Sequence, residues 1–137
     1  KEYDGITDML KVLKHNGFLL AVVSNKADFA VQTLCNKYFK GLLDVAVGER
    51  EGTKRKPCPD SVNEVVKLLN VEKNNCFYVG DSDVDVKTAH NAEIKCIACT
   101  WGFRSRNVLE KENPEYIIDS VNEILEIVGV KNESITY

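Results

Sequence analysis

The chain has 137 residues, 44% hydrophobic and 28% charged, with a formal net charge of −3. That length and balance fit one globular domain with a real core. The mild acidity gives no electrostatic footprint for nucleic acid, and no basic run suits an anionic membrane. No apolar stretch approaches the roughly 20 residues that a bilayer-spanning helix needs, and no signal-peptide pattern opens the chain. The first residue is Lys1 rather than a methionine, which fits a processed product or a portion of a longer protein.

In chain order, Ile6, Met9, Leu10 and Leu13 fall at helical spacing, with Gly17 as the expected C-terminal stop. Phe18 to Val23 is short and continuously apolar, as a strand buried on both faces should be, and it empties into Ser24-Asn25-Lys26. A second helix is expected from Asp28 or Phe29 to Tyr38, with Ala30, Val31, Leu34 and Tyr38 as its inner stripe. A weaker strand follows at Leu43 to Val47.

Gly48 to Pro59 is one long polar connection. Asp60 or Ser61 then caps a helix reaching Leu69, and Ser61 with Glu64 fits a capping box. Cys76 to Val79 reads as a strand that opens through Gly80 into Asp81-Ser82-Asp83-Val84-Asp85, followed by a helix from Val84 to Asn91. Ile94 to Cys99 is another apolar strand, leading to Thr100-Trp101-Gly102-Phe103-Arg104-Ser105-Arg106, a loop with an aromatic and two arginines. Glu115 to Ile118 is a short final strand. Ser120 and Glu123 cap the last helix, whose inner face is Val121, Ile124, Leu125 and Val128. Residues 131–137 read as a loose tail behind a core domain of residues 1–130.

Five cysteines, an odd number scattered partly through apolar runs, read as reduced thiols of a cytoplasmic protein. Cys96 and Cys99 form a C-x-x-C, but within a strand that spacing turns them to opposite faces, and no second pair or nearby histidine supports zinc. His15 and His90 sit on predicted helices away from the strand ends, and Ser24 lies in no G-x-S-x-G elbow, so acyl transfer is disfavoured. No G-x-G-x-x-G occurs, which argues against a dinucleotide-binding module.

Strands alternating with helices imply an α/β fold around a parallel sheet, in which ligands sit beyond the carboxyl ends of the strands. Ser24-Asn25-Lys26, the acidic loop and the Trp101–Arg106 loop should therefore open on one edge. Three aspartates in five residues repel one another unless a cation or water screens them. Two readings stay open for that loop: a magnesium site using Asp81 and Asp85, or a solvated loop with Asp83 as a helix cap. Ser24 and the N–H of Asn25 offer short donors to a phosphate, and Lys56, stiffened by Pro57, offers a cation.

Val22-Val23-Ser24-Asn25-Lys26, Arg55-Lys56-Pro57-Cys58-Pro59-Asp60 and Val79-Gly80-Asp81-Ser82-Asp83-Val84-Asp85 together resemble successive motifs of the haloacid-dehalogenase superfamily, nearest its phosphoglycolate phosphatase-like branch. The likeness runs from Tyr3 through Glu123. It implies a Rossmann-like core and a magnesium-dependent phosphatase of small phosphate monoesters that works through an aspartyl-phosphate. By that resemblance Ser24 hydrogen-bonds the phosphoryl group beside Asn25, and Lys56 neutralises charge on nucleophile and phosphate. Asp81 binds Mg2+ directly, Asp85 holds the metal or its water shell, and Asp83 has no ligand role.

One departure matters. The superfamily's chemistry begins at a D-x-D on an N-terminal strand, where one aspartate attacks phosphorus and the other acts as general acid and base. The only D-x-D here is Asp81-Ser82-Asp83, overlapped by Asp83-Val84-Asp85, and it belongs to the metal loop. The nucleophile strand and the helical cap are thus expected to precede Lys1. Unpaired sheet edges should remain, with association through them as one consequence. Alternative readings are a non-catalytic phosphate-binding or regulatory short form, and a phosphomutase or pyrophosphatase of the same superfamily.

Overall fold

The computed structural model describes residues 5–52, 54–102 and 104–129, so the expected tail lies outside the described residues. Helix α1 (Ile6–His15) buries Met9, Val12 and Leu13 and ends where its sequence predicts. Gly17 takes φ of 86°, its N–H donates to Lys14 O, and Phe18 N donates to Leu13 O at 3.0 Å. These are the paired bonds of a Schellman stop, in which glycine supplies the left-handed residue.

That stop explains the first correction. Phe18 is spent on capping α1. Leu20 is held by Asp44, whose Oδ2 accepts from Leu20 N at 2.8 Å while Asp44 N donates to Leu20 O at 2.7 Å. The chain therefore enters the sheet only at Ala21, and β1 runs Ala21–Ala27 instead of starting at Phe18. Ser24-Asn25-Lys26, expected beyond the strand, lies inside it. β1 pairs in parallel with β2 (Val45–Glu49) through Ala21, Val22 and Val23, then again only at Ala27 opposite Glu49. The three polar residues thus form an irregular segment at the carboxyl end of the ladder. Helix α2 (Asp28–Tyr38) follows at once, burying Val31; Leu34 of its expected inner stripe is exposed.

Helix α3 (Asp60–Leu69) leads through a short 3₁₀ turn, Lys73–Asn75, to β3 (Phe77–Gly80), α4 (Asp83–Asn91) and β4 (Lys95–Cys99). A one-and-a-half-turn helix, α5 (Arg106–Lys111), is unforeseen in the sequence reading; β5 (Tyr116–Ile118) and α6 (Asn122–Ile127) complete the described chain. The capping box at α3 does not form. The helix starts one residue before Ser61, which is buried, and Glu64 pairs instead with Arg50. At α6 the expected partnership is met by its acidic half, since Glu123 Oε2 accepts from Asp119 N and Ser120 N at 2.8 and 2.9 Å.

β4 is the centre of the molecule. It pairs in parallel with β3 on one side and β5 on the other, and four of its five residues are buried. Ile97 and Cys99 face α1 and α6, packing with Met9, Val12, Leu13, Ile118, Ile124 and Leu125. Cys96 and Ala98 face α4 and α5, packing with Val86, Ala89 and Leu109. The two cysteines of the C-x-x-C thus lie on opposite faces, as the strand period requires. Burial pushes both thiols up to about 12, so they are inert packing groups.

The strands form two sheets, β1-β2 and β3-β4-β5. One edge of β1 and one edge of β3 carry no strand among the described residues, and Phe77 and Val79 of β3 remain 37% and 45% exposed. The halves are joined through α3 and the turn before it. Val62, Ala92 and Ile94 form a small buried cluster against which Val23 of β1 and Tyr78 of β3 both pack. No described helix is long and apolar enough to cross a membrane.

Candidate active site

Within each sheet every described pairing is parallel, and hydrogen bonds bring the polar loops after β1, β3 and β4 together. Asn25 Oδ1 accepts from Lys56 N at 3.1 Å, tying the end of β1 to the Lys56 turn. Asn91 Nδ2 holds the other side of that turn through Pro57 O at 2.9 Å. Arg104 N donates to Asp81 O at 3.1 Å, tying the loop after β4 to the acidic loop.

Lys56 and Asp85 are the buried heart of the edge. Lys56 Nζ lies 2.8 Å from Asp85 Oδ1, with only 14% and 11% of the two side chains exposed. The other carboxylate oxygen, Asp85 Oδ2, accepts from Asp81 N at 3.0 Å and Ser82 Oγ at 3.1 Å. Burial alone would raise the Asp85 carboxyl. The Lys56 charge and these bonds outweigh it and hold the group below the ordinary carboxylate value. Gly80 makes the geometry possible, because a Cβ there would overlap the Asp85 side chain.

Tyr78 is the member that sequence reasoning missed. Its hydroxyl accepts from Lys56 Nζ at 3.2 Å and faces Asp85 Oδ1 at 3.4 Å as donor. Burial, reinforced by the Asp85 charge, pushes its phenol upward, so it stays protonated. In sequence it is one more aromatic in an apolar strand. Its only signal is that a tyrosine buried there needs a polar partner for its hydroxyl.

Asp81 sits over Gly102, where a Cβ would overlap its carboxylate. Ser82, not Asp83, caps α4, its Oγ accepting from Asp85 N at 3.2 Å. Asp83 is the first helical residue and forms an ion pair with Arg104 at 3.3 Å. Ser24 Oγ accepts from Lys26 N at 3.1 Å, which leaves its own proton to donate. Arg106 turns away to Asp119, at 2.9 and 3.0 Å, and Trp101 packs against the α1–α6 core. His90 bonds Glu115 at 3.1 Å beside an open cleft of about 350 Å³ at the amino end of β4, the far edge from this site.

The acidic donors at this edge are hard oxygens, the kind that hard divalent cations take. Asp81 and Asp85 bring carboxylates to this edge, and both oxygens of Asp85 accept from protein donors. No third His, Cys, Asp or Glu joins them among the described residues. Magnesium keeps several waters and completes its shell from phosphate oxygens, so one or two carboxylates are compatible with it.

Comparison with known proteins identifies the family. Over 128 residues the chain is 31% identical to phosphoglycolate phosphatase 1 of Pseudomonas aeruginosa, covering 90% of this chain and 46% of that one. It is 28% identical over 130 residues to pyrophosphatase PpaX of Halalkalibacterium halodurans, covering 94% and 60%. A crystal structure from Lactobacillus delbrueckii subsp. bulgaricus, of a phosphoglycolate phosphatase by inference, superposes with a TM-score of 0.89 at 44% identity, over 92% of this chain and 53% of that one. The chain spans about half the length of the curated relatives it matches. The profile of the haloacid dehalogenase-like hydrolases matches residues 1–99. With that span and the Lys56–Asp85 edge, the chain belongs to the haloacid dehalogenase-like hydrolases.

Proposed function

We propose that this chain carries the phosphate- and magnesium-binding side of a phosphatase acting on small phosphate monoesters through an aspartyl-phosphate. The observation that supports it most is the buried Lys56–Asp85 pair at the carboxyl ends of the strands. A buried ion pair is a poor way to gain stability, and a perturbed, paired carboxylate in such a place is a functional-site signature.

In this reading Ser24 donates its hydroxyl proton to a phosphoryl oxygen, and Lys56 balances the negative charge gathering between phosphate and nucleophile. Asn25 acts beside Ser24 and through the Lys56 turn that its carboxamide oxygen holds. Asp81 and the water around Asp85 hold Mg2+, which supplies charge neutralisation to the transferring phosphoryl group when bound. Asp83, paired with Arg104, takes no part in holding it. The attacking aspartate and the general acid come from a D-x-D strand that residues 1–137 do not contain.

A pyrophosphatase reading is supported by the PpaX relatives, which match with coverage similar to the phosphoglycolate phosphatase. The test is phosphate release by a protein carrying a D-x-D strand ahead of Lys1, assayed with magnesium on phosphoglycolate, other small monoesters and pyrophosphate. Turnover of monoesters is the expected result. Exclusive turnover of pyrophosphate moves the substrate class, and inertness toward all of them overturns the reading.

A further inference from the structure

Lys56 presents three N–H bonds on a freely rotating ammonium. One points to Asp85 Oδ1 at 2.8 Å and one to Tyr78 Oη at 3.2 Å, and the ammonium stands 5.8 Å from the centre of the Tyr78 ring. Tyr78 is well placed to hold still. It packs against both the Val86–Ala89–Leu109 cluster and the Val62–Ala92–Ile94 cluster. Its hydroxyl also reaches Asp85 Oδ1 at 3.4 Å, closing a triangle of ammonium, phenol and carboxylate.

We propose that Tyr78 is a positioning residue that fixes the rotation of the Lys56 ammonium: with one N–H committed to Asp85 and one to Tyr78, the third is left for a phosphate oxygen. A lysine fixed by Asp85 alone keeps its charge but can turn its remaining donors away from the ligand. This rests on the phosphatase reading for its consequence, though not for its geometry.

The test replaces only the hydroxyl, Tyr78→Phe, and reads the ammonium directly. In ¹⁵N-lysine-labelled residues 1–137, Lys56 gives an ammonium cross-peak protected from exchange, assigned by its loss in Lys56→Arg. In Tyr78→Phe that cross-peak broadens away while the backbone amide spectrum keeps its pattern; a merely structural tyrosine would leave the ammonium signal in place. A Lys56 cross-peak unchanged in Tyr78→Phe overturns the proposal. If the phenylalanine variant does not fold, 3-fluorotyrosine labelling reads the same contact. Lys56→Gln then shifts the Tyr78 resonance more than any other, and an unmoved Tyr78 resonance overturns the proposal. In the enzyme with its D-x-D strand, Tyr78→Phe lowers kcat about 10-fold with KM little changed, the scale of one hydrogen bond to a charged group. If that enzyme is inert, the phosphatase reading fails while the ammonium signature still stands.

Discussion

Lys56 and Asp85 are nearly buried as a pair, so removing either one leaves the other's charge uncompensated. Lys56→Met leaves the Asp85 carboxylate nearly buried with its charge uncompensated. Breaking such a pair costs about 3 kcal/mol, so urea unfolding of this variant should lose roughly that amount, while Arg55→Met, an exposed partner of Glu49, should lose under about 1 kcal/mol. Gly102 offers a subtler test. A methyl group there overlaps the Asp81 side chain as far back as its Cβ, so Gly102→Ala should displace the acidic loop and weaken magnesium binding, read by calorimetry, about 10-fold or more. The roles of Ser24, Lys56 and Asp81 are suggested by the sequence because each sits in a compact motif with a known chemistry. Tyr78 was not, since its contribution depends on two side chains 22 and 7 residues away.

At the scale of elements, the joint between α1 and β2 sets how the chain enters the sheet. Asp44 accepts from Lys14 Nζ at 2.6 Å and from Leu20 N at 2.8 Å. The Lys14 bond first, then the Leu20 N–H, hold its carboxyl below the ordinary value. A depressed carboxyl contributes stability above its unfolded pKa of about 4, and that contribution disappears as pH falls through the lower folded value. Asp44→Asn should therefore cost up to about 1 kcal/mol near pH 7, and the difference from wild type should vanish toward pH 2 in urea titrations. The same joint shows why strand boundaries slipped in the sequence reading. Hydrophobic period locates β1 but cannot see that Phe18 is taken by the α1 stop and Leu20 by Asp44. Ser61 with Glu64 failed for a related reason: Arg50, 14 residues earlier, takes Glu64. Gly17 and Ser120–Glu123 were legible because their partners are local.

Across the whole molecule, the parallel α/β class followed from the alternation of apolar runs and helices, and the superfamily followed from three motifs at the strand ends, while the division into two sheets was not legible there. The described strands form two sheets, with one edge of β1 and one edge of β3 unpaired among the described residues, which is compatible with the proposed D-x-D strand. Amide exchange should rank the strands accordingly. β4, paired on both sides, should be protected most, and β3 amides directed away from β4 should exchange at least about 100-fold faster. Equal protection across β3 and β4 would mean that something covers the free edge.

If Lys56, Asp81 and Asp85 serve phosphoryl transfer as proposed, phosphate release depends on a nucleophile that residues 1–137 do not supply. The direct measurement is magnesium-dependent phosphate release by residues 1–137 alone, by the protein carrying its D-x-D strand, and by that protein with Asp81→Ala. No turnover is expected from residues 1–137, turnover from the second, and a loss of about 100-fold or more in the third. Turnover by residues 1–137 that disappears with Asp81→Ala would contradict the proposal, as would full activity of the Asp81→Ala enzyme.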